Sequence, residues 1–316
     1  MPVLTRKAPA EGRIALRPAS SALRPAGESL PGKPAPGLPG ARLGFLESCS
    51  NPGCRSGWLH LWRKRSVPVF EQGWTCSPEC TGARVEAAVQ REQDGRGAVE
   101  ENHRHRVPLG LVMLEQGWIT TGQLRQALDA QKRAGSGRLG QWLVRQQGVS
   151  EQLVTRALGL QWSCPVLPLE YHDAQALTAL MPRLFVEAFG ALPLRVAAGK
   201  LLYLGFEDRL DPVLALAVER MTGLRVESGL VQSSLFHPAH GRMLNSRFPP
   251  AELIETGSEQ ALAHALAKTI ERERPADSRL VRVHDCLWFR MWRRPQSGPR
   301  PEAAWVQDLI GSIHAH

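Results

Sequence analysis

Residues 108–131 read PLGLVMLEQGWITTGQLRQALDAQ and residues 138–161 read RLGQWLVRQQGVSEQLVTRALGLQ, so one phrase is stated twice, the second copy beginning thirty residues after the first. Leu109/Leu139, Gly110/Gly140, Gln116/Gln146, Ala127/Ala157, Leu128/Leu158 and Gln131/Gln161 are identical, and Met113/Leu143, Ile119/Val149, Thr120/Ser150 and Leu124/Val154 keep size or chemistry. A duplicated supersecondary unit accounts for that register. In each copy Gly117 or Gly148 stops a short first helix, and Thr120 or Ser150 stands where an N-cap hydroxyl opens a longer second one. Gln123 completes a capping box with Thr120. The second helices carry Leu124, Ala127, Leu128, Gln131 and Val154, Ala157, Leu158, Gln161 at i, i+3, i+4, i+7, one packing stripe each. The two units are expected to bury these stripes together.

Upstream of the repeat lies CSNPGCRSGWLHLWRKRSVPVFEQGWTCSPEC, in which Cys49 and Cys54 form one close pair and Cys76 and Cys80 another. Four soft sulfur ligands in two knuckles suit a tetrahedral zinc ion, and Pro52, Gly53 and Pro78 are turn-formers of the kind that bend a chain around a metal. Two disulfides or four unpaired core cysteines are the alternatives; the first is disfavoured in a cytoplasmic chain, and the second does not predict two such pairs. Four cysteines leave no open coordination position, so the zinc is read as structural. His60 could replace a ligand, and Trp58, Trp62 and Trp74 would supply the small core that such a module needs beside its metal. Arg63-Lys64-Arg65 either faces nucleic acid or offsets the charge of a four-thiolate zinc. A helix from 81 to 93, with Val85, Ala88 and Val89 on one face, trails the module, and 94–105, with His103, Arg104 and His105, reads as a linker.

Downstream the period changes. A short apolar strand at 164–169 is followed by a helical stretch from 174 to 189 interrupted at Pro182, and then by a hairpin of 192–196 and 201–206 around Ala-Ala-Gly-Lys. Asp211 and Pro212 open a helix to 221, and 224–230 is a last strand. That β-α-β-β-α-β order suggests a split ferredoxin-like sandwich. Glu207, Asp208 and Asp211 cluster at one loop and read as cap and solvent face. From 233 to 316 the pattern is one amphipathic helix (259–274) and a strand-like run (278–292) rich in Trp and Arg. Its aromatics either stack nucleotides or, as the preferred reading, pack a core. Cys164 and Cys286 are read as buried spectators.

The 316-residue chain carries a formal charge of +9, five units of which sit in the first forty-four residues, where seven Lys and Arg face Glu11 and Glu28. That Pro- and Gly-rich arm reads as disordered. Gly27-Glu-Ser-Leu-Pro-Gly32-Lys33 within it imitates a phosphate-binding loop, but Pro34 replaces the hydroxyl that would hold magnesium. No Ser/His/Asp, paired-carboxylate or Cys/His arrangement stands out, and no apolar run reaches the roughly 18 residues of a membrane span. The chain is read as cytoplasmic and as no enzyme.

Arg-Leu-Gly, then Gly-aliphatic-[Ser/Thr], then Leu-x-x-Ala-Leu-x-x-Gln, resembles the N-terminal domain of bacterial type II secretion and type IV pilus assembly ATPases in its MshE-like form. The likeness runs over residues 106–232, including LPL, FEDRLDP and TGLRVE, and the motor domain is missing from it. It implies cyclic di-GMP as a candidate ligand of the repeat, held by Arg138, Leu139, Gly140, Leu109, Gly110, Gln131 and Gln161. Pro108 stands where the family has Arg, which shifts the ligand onto the second copy. It also implies docking on inner-membrane or cytoplasmic components of a secretion or pilus assembly. The expected class is therefore α+β. The expected order is a basic arm (1–44), a small four-cysteine zinc module (45–93), a linker (94–105), a duplicated helix-turn-helix repeat with its β-α-β-β-α-β sandwich (106–232, the α/β half being 162–232), and a helix-strand region (233–316). The expected role is a non-catalytic adaptor or sensor; the alternative is a zinc-containing nucleic-acid-binding regulator.

Overall fold

The computed structural model describes residues 49–55, 67–95, 106–169, 172–295 and 302–313, all within the unit Phe45–His316. The basic arm with its Gly-Lys string, Trp58, His60, Trp62 and Arg63-Lys64-Arg65 of the cysteine module, and His103, Arg104 and His105 of the linker lie outside the described residues.

Strands β1 (Val69–Phe70) and β2 (Gly73–Trp74) pair antiparallel across Glu71 and Gln72, both with left-handed φ. Helix α1 (Pro78–Asp94) then begins with Ser77 as cap, its hydroxyl accepting from the Cys80 N–H at 3.3 Å, and with Pro78 in the first turn, where a missing N–H costs little. The repeat follows as two helix-turn-helix units, α2 (Leu109–Glu115) with α3 (Thr121–Ala134), and α4 (Leu139–Gln147) with α5 (Glu151–Trp162). Gly117 (φ 68°) and Gly148 (φ 62°) make the left-handed turns between them, which a side chain would strain. Thr120 and Gln123 form the expected capping box; Ser150 occupies the corresponding cap position, but its hydroxyl makes no capping bond. Val112, Met113, Ile119, Ala127, Leu143, Val149, Val154 and Ala157 are the shared core. Leu128 departs from its stripe at 44% exposure, whereas its twin Leu158 packs on the α/β half. Docking of one copy only breaks the symmetry.

The α/β half contains α6 (Ala174–Leu177), α7 (Arg183–Ala188), β3 (Ala191–Ala197), β4 (Leu201–Phe206), α8 (Pro212–Thr222) and β5 (Arg225–Leu230). Strands β3 and β4 are the expected antiparallel hairpin, and β5 lies parallel to β4 after the α8 crossover. This differs from a ferredoxin-like split, which would place the first strand between β4 and β5. The expected first strand is reduced to one parallel bridge, Val166 to Leu230, on the outer side of β5. Pro165 and Pro168 remove two ladder donors from that stretch, which explains why it does not extend.

Helix α9 (Ser233–Leu244) leads to a second sheet made of β6 (Ala251–Thr256), β7 (Asp277–Val283), β8 (Cys286–Trp292) and β9 (Val306–Ile313), with α10 (Glu259–Glu273) between β6 and β7. The order is β6-β9-β8-β7, with β6 parallel to β9 and the other pairs antiparallel. The strand-like run 278–292 is thus a hairpin, turning at His284 and Asp285. Both faces of the sheet are covered. Leu280, Leu287, Phe289, Met291 and Leu309 pack with Val85, Ala88 and Val89 of α1 and Leu262, Leu266 and Ile270 of α10. Val281, Val283, Trp288, Trp292, Val306 and Ile310 join the core of the α/β half instead. The Trp residues of β8 therefore have no stacking face to offer a nucleotide: Trp288 is fully buried and meets Phe185 edge-on at 5.2 Å. Beside it Arg290, also fully buried, makes a bidentate pair with Asp308 at 2.7 and 2.8 Å and donates to the Ala179 and Leu180 carbonyls. No described helix is long and apolar enough to cross a membrane.

Candidate functional site

The sulfurs of Cys49, Cys54, Cys76 and Cys80 all lie within 4.8 Å of one another. Cys54 and Cys76 are 3.5 Å apart and Cys76 and Cys80 3.6 Å apart, near the roughly 3.8 Å edge of a tetrahedron with metal–sulfur bonds of about 2.3 Å. Local sequence builds this convergence. Asn51 folds the first knuckle by accepting from the Gly53 N–H on its side chain and from the Cys54 N–H on its carbonyl. Ser50 donates its N–H to the Trp74 carbonyl, and Gly73 permits that approach, since a Cβ there would lie 2.4 Å from that of Ser50. Trp74 packs on the cluster, and Ser77 holds Cys80 in the first turn of α1. Burial, followed by the neighbouring thiols, pushes the Cys76 thiol far up, and burial raises Cys49. Four sulfurs so close cannot all ionise without a cation among them, and this donor set can hold a metal ion.

The repeat brings its predicted residues together across the two copies. Leu109 lies against the backbone of Gly140 and Leu139 against that of Gly110, so each copy's Leu covers the other's Gly. A Cβ on Gly110 would meet Leu124, and one on Gly140 would meet Val154, both at 2.6 Å. The glutamines cross likewise: Gln131 donates to the Gly137 carbonyl at 2.8 Å, just before the second copy, and Gln161 to the Val107 carbonyl at 2.7 Å, just before the first. Leu, Gly and Gln thus build a pseudo-two-fold scaffold that sets the backbone entering each short helix. Arg138 stands outside it with its side chain 60% exposed. Where the first copy has Pro108, the nearby Arg106 stacks over the Trp162 ring at 3.4 Å.

Arg138 has a partner that its local sequence does not announce. It is ion-paired with Asp208 and lies 4.0 Å from Glu207, in the loop after β4. Glu207 also accepts from the Ser233 hydroxyl at 2.7 Å and meets His237 at 3.1 Å. Burial raises the Asp208 carboxyl, against the opposing pull of Arg138. Asp211 is the expected cap of α8, accepting from the Leu214 N–H, and it also meets His284 at 2.7 Å. The loop read as solvent face therefore seats the second copy on the α/β half. A second attachment is Glu151, which accepts from the Ser234 N–H and the Gln232 side chain; burial would raise its carboxyl, but these bonds lower it. Cys164 and Cys286 are half-buried rather than buried.

No family model matches the chain, and no curated protein matches it. Among solved structures, MshE with cyclic di-GMP is similar at 27% identity, covering 44% of this chain and 99% of that one with a TM-score of 0.35. The N-terminal domain of XpsE is similar at 20% identity in two crystal forms, covering 42% and 41% of this chain and 92% and 90% of its own, with TM-scores of 0.31 and 0.25. Each of these likenesses covers less than half of this chain.

Proposed function

We propose that the protein is a non-catalytic cytoplasmic adaptor or sensor of a type II secretion or type IV pilus assembly. In this reading zinc at Cys49, Cys54, Cys76 and Cys80 fixes the start of α1, and the repeat takes cyclic di-GMP through its second copy. The observation that carries the ligand reading is the crossed scaffold of Leu109, Gly110, Gln131 and Leu139, Gly140, Gln161. A ligand with two phosphates and two guanines suits a site whose halves repeat, and an Arg fork meets guanine or phosphate through two hydrogen bonds. Arg138 retains that fork; Pro108 lacks both a guanidinium and a backbone N–H. The partners, inner-membrane or cytoplasmic components of the assembly, follow from the resemblance of the motif.

Titration calorimetry with cyclic di-GMP tests the ligand reading. Loss of one charge-assisted pair of about 1.5–3 kcal/mol weakens binding roughly tenfold to a hundredfold relative to a site with both Arg residues, and Arg138→Ala should abolish what remains. Binding unaffected by Arg138→Ala, or none at millimolar ligand, overturns it. Steady ATP turnover that follows the protein through every purification step would overturn the non-catalytic reading.

A further inference from the structure

We propose that Asp208 is an internal competitor for Arg138: the loop after β4 occupies the guanidinium that the repeat would offer to an anionic ligand, so that ligand binding and the seating of this loop exclude one another. This rests on the cyclic di-GMP reading and adds a residue that sets its affinity. Arg138 reaches out of the crossed scaffold and is claimed by Asp208, with Glu207 behind it. Their loop cannot follow the guanidinium freely, because Glu207 is tied to Ser233 and His237 at the start of α9, and Asp211 to the first turn of α8. An Arg turned toward phosphate must therefore leave Asp208. Glu151 keeps its own bonds to Gln232 and Ser234, so the second copy stays attached through α5 while the Arg138 contact opens. Linkage makes the effect reciprocal: whatever weakens the loop's hold strengthens the ligand's.

The test is titration of cyclic di-GMP into the full chain and into Asp208→Asn, Arg138→Ala and Asp129→Asn. The last makes the same charge change at an exposed residue of α3. An ion pair with one partner exposed and the other half-buried is a weak competitor, so Asp208→Asn should bind roughly two- to fivefold more tightly than the unmodified chain. Asp129→Asn should match the unmodified chain, and Arg138→Ala should bind neither with nor without the Asp208 change. Asp208→Ala serves as a second variant if Asp208→Asn does not fold. Equal affinity of the Asp208 variants and the unmodified chain overturns the competition and leaves the ligand reading standing. Equal tightening by Asp129→Asn also overturns it, since net charge then explains the gain. Absence of binding by every variant overturns the ligand reading and the competition with it.

Discussion

Gly140 and Gly110 occupy equivalent positions in two copies of one motif, yet their neighbours respond differently to an added methyl group. At Gly140 the new Cβ would lie 2.6 Å from a branch methyl of Val154, and a helical valine has one strongly preferred rotamer, so it cannot swing aside. At Gly110 the atom met at 2.6 Å is the end of the Leu124 side chain, which can rotate. Overpacking costs about 1–3 kcal/mol, against about 1 kcal/mol regained by replacing Gly in a helix. Because Val154 cannot yield, Gly140→Ala should fall in the upper part of that overpacking range and destabilise by about 1–2 kcal/mol net in urea unfolding, and Gly110→Ala should stay within about 1 kcal/mol of the unmodified protein. Equal losses in both would contradict the asymmetry. At this scale the sequence was highly legible: the duplication located Gly110 and Gly140, and the capping box of Thr120 and Gln123 followed from three-residue spacing. The role of the glycines in packing was not, because the residues they admit come from other helices.

At the scale of the element, α1 joins the four-cysteine cluster to the second sheet. Cys76 precedes its cap and Cys80 lies in its first turn, so a four-thiolate zinc with net charge of about −2 would sit where the helix dipole favours an anion. Farther along, Val85, Ala88 and Val89 pack with α10 and the face of β7 and β8. Metal removal should therefore loosen α1 from its N-terminal end. The protein should bind about one equivalent of zinc, and Cys76→Ser should lose it while hydrogen exchange accelerates in the first turns of α1 and stays unchanged in α3. Metal-free protein with α1 fully protected would refute the coupling. Two cysteine pairs and one apolar helix face made the cluster and the helix readable. Nothing local shows that α1 packs on α10, since an amphipathic stripe states that a face is buried but not what covers it.

At the scale of the whole molecule, apolar cores join the distant segments, and the ionic contacts that fix how they meet were largely invisible in the sequence. Arg138 and Asp208, and Glu92 and Arg220, are far apart along the chain, Arg290 and Asp308 face each other on adjacent strands, and none of these pairs shares a periodic signal. Glu92 reaches furthest: from the end of α1 it accepts from Arg220 of α8 at 2.6 and 3.0 Å and from the Arg282 N–H of β7 at 3.1 Å. Burial alone would raise its carboxyl, but the Arg220 hydrogen bonds and charge, followed by Arg282 and Arg91, bring it below the ordinary value. A carboxyl lowered by folding contributes stability above its unfolded pKa of about 4.3, and that contribution is lost as pH falls through the lower folded value. Glu92→Gln should destabilise by about 1.5–2 kcal/mol near pH 7, the low end for a charged hydrogen bond because Arg220 is 44% exposed and partly screened. Urea unfolding from pH 7 to pH 3 checks the sign. The gap between the unmodified protein and Glu92→Gln should hold above about pH 5 and narrow below the unfolded value, as the carboxylate of the unmodified protein takes up its proton. A gap that stays constant across the range would mean that Glu92 contributes packing rather than charge, and that α1, α8 and β7 are held together here by their apolar faces.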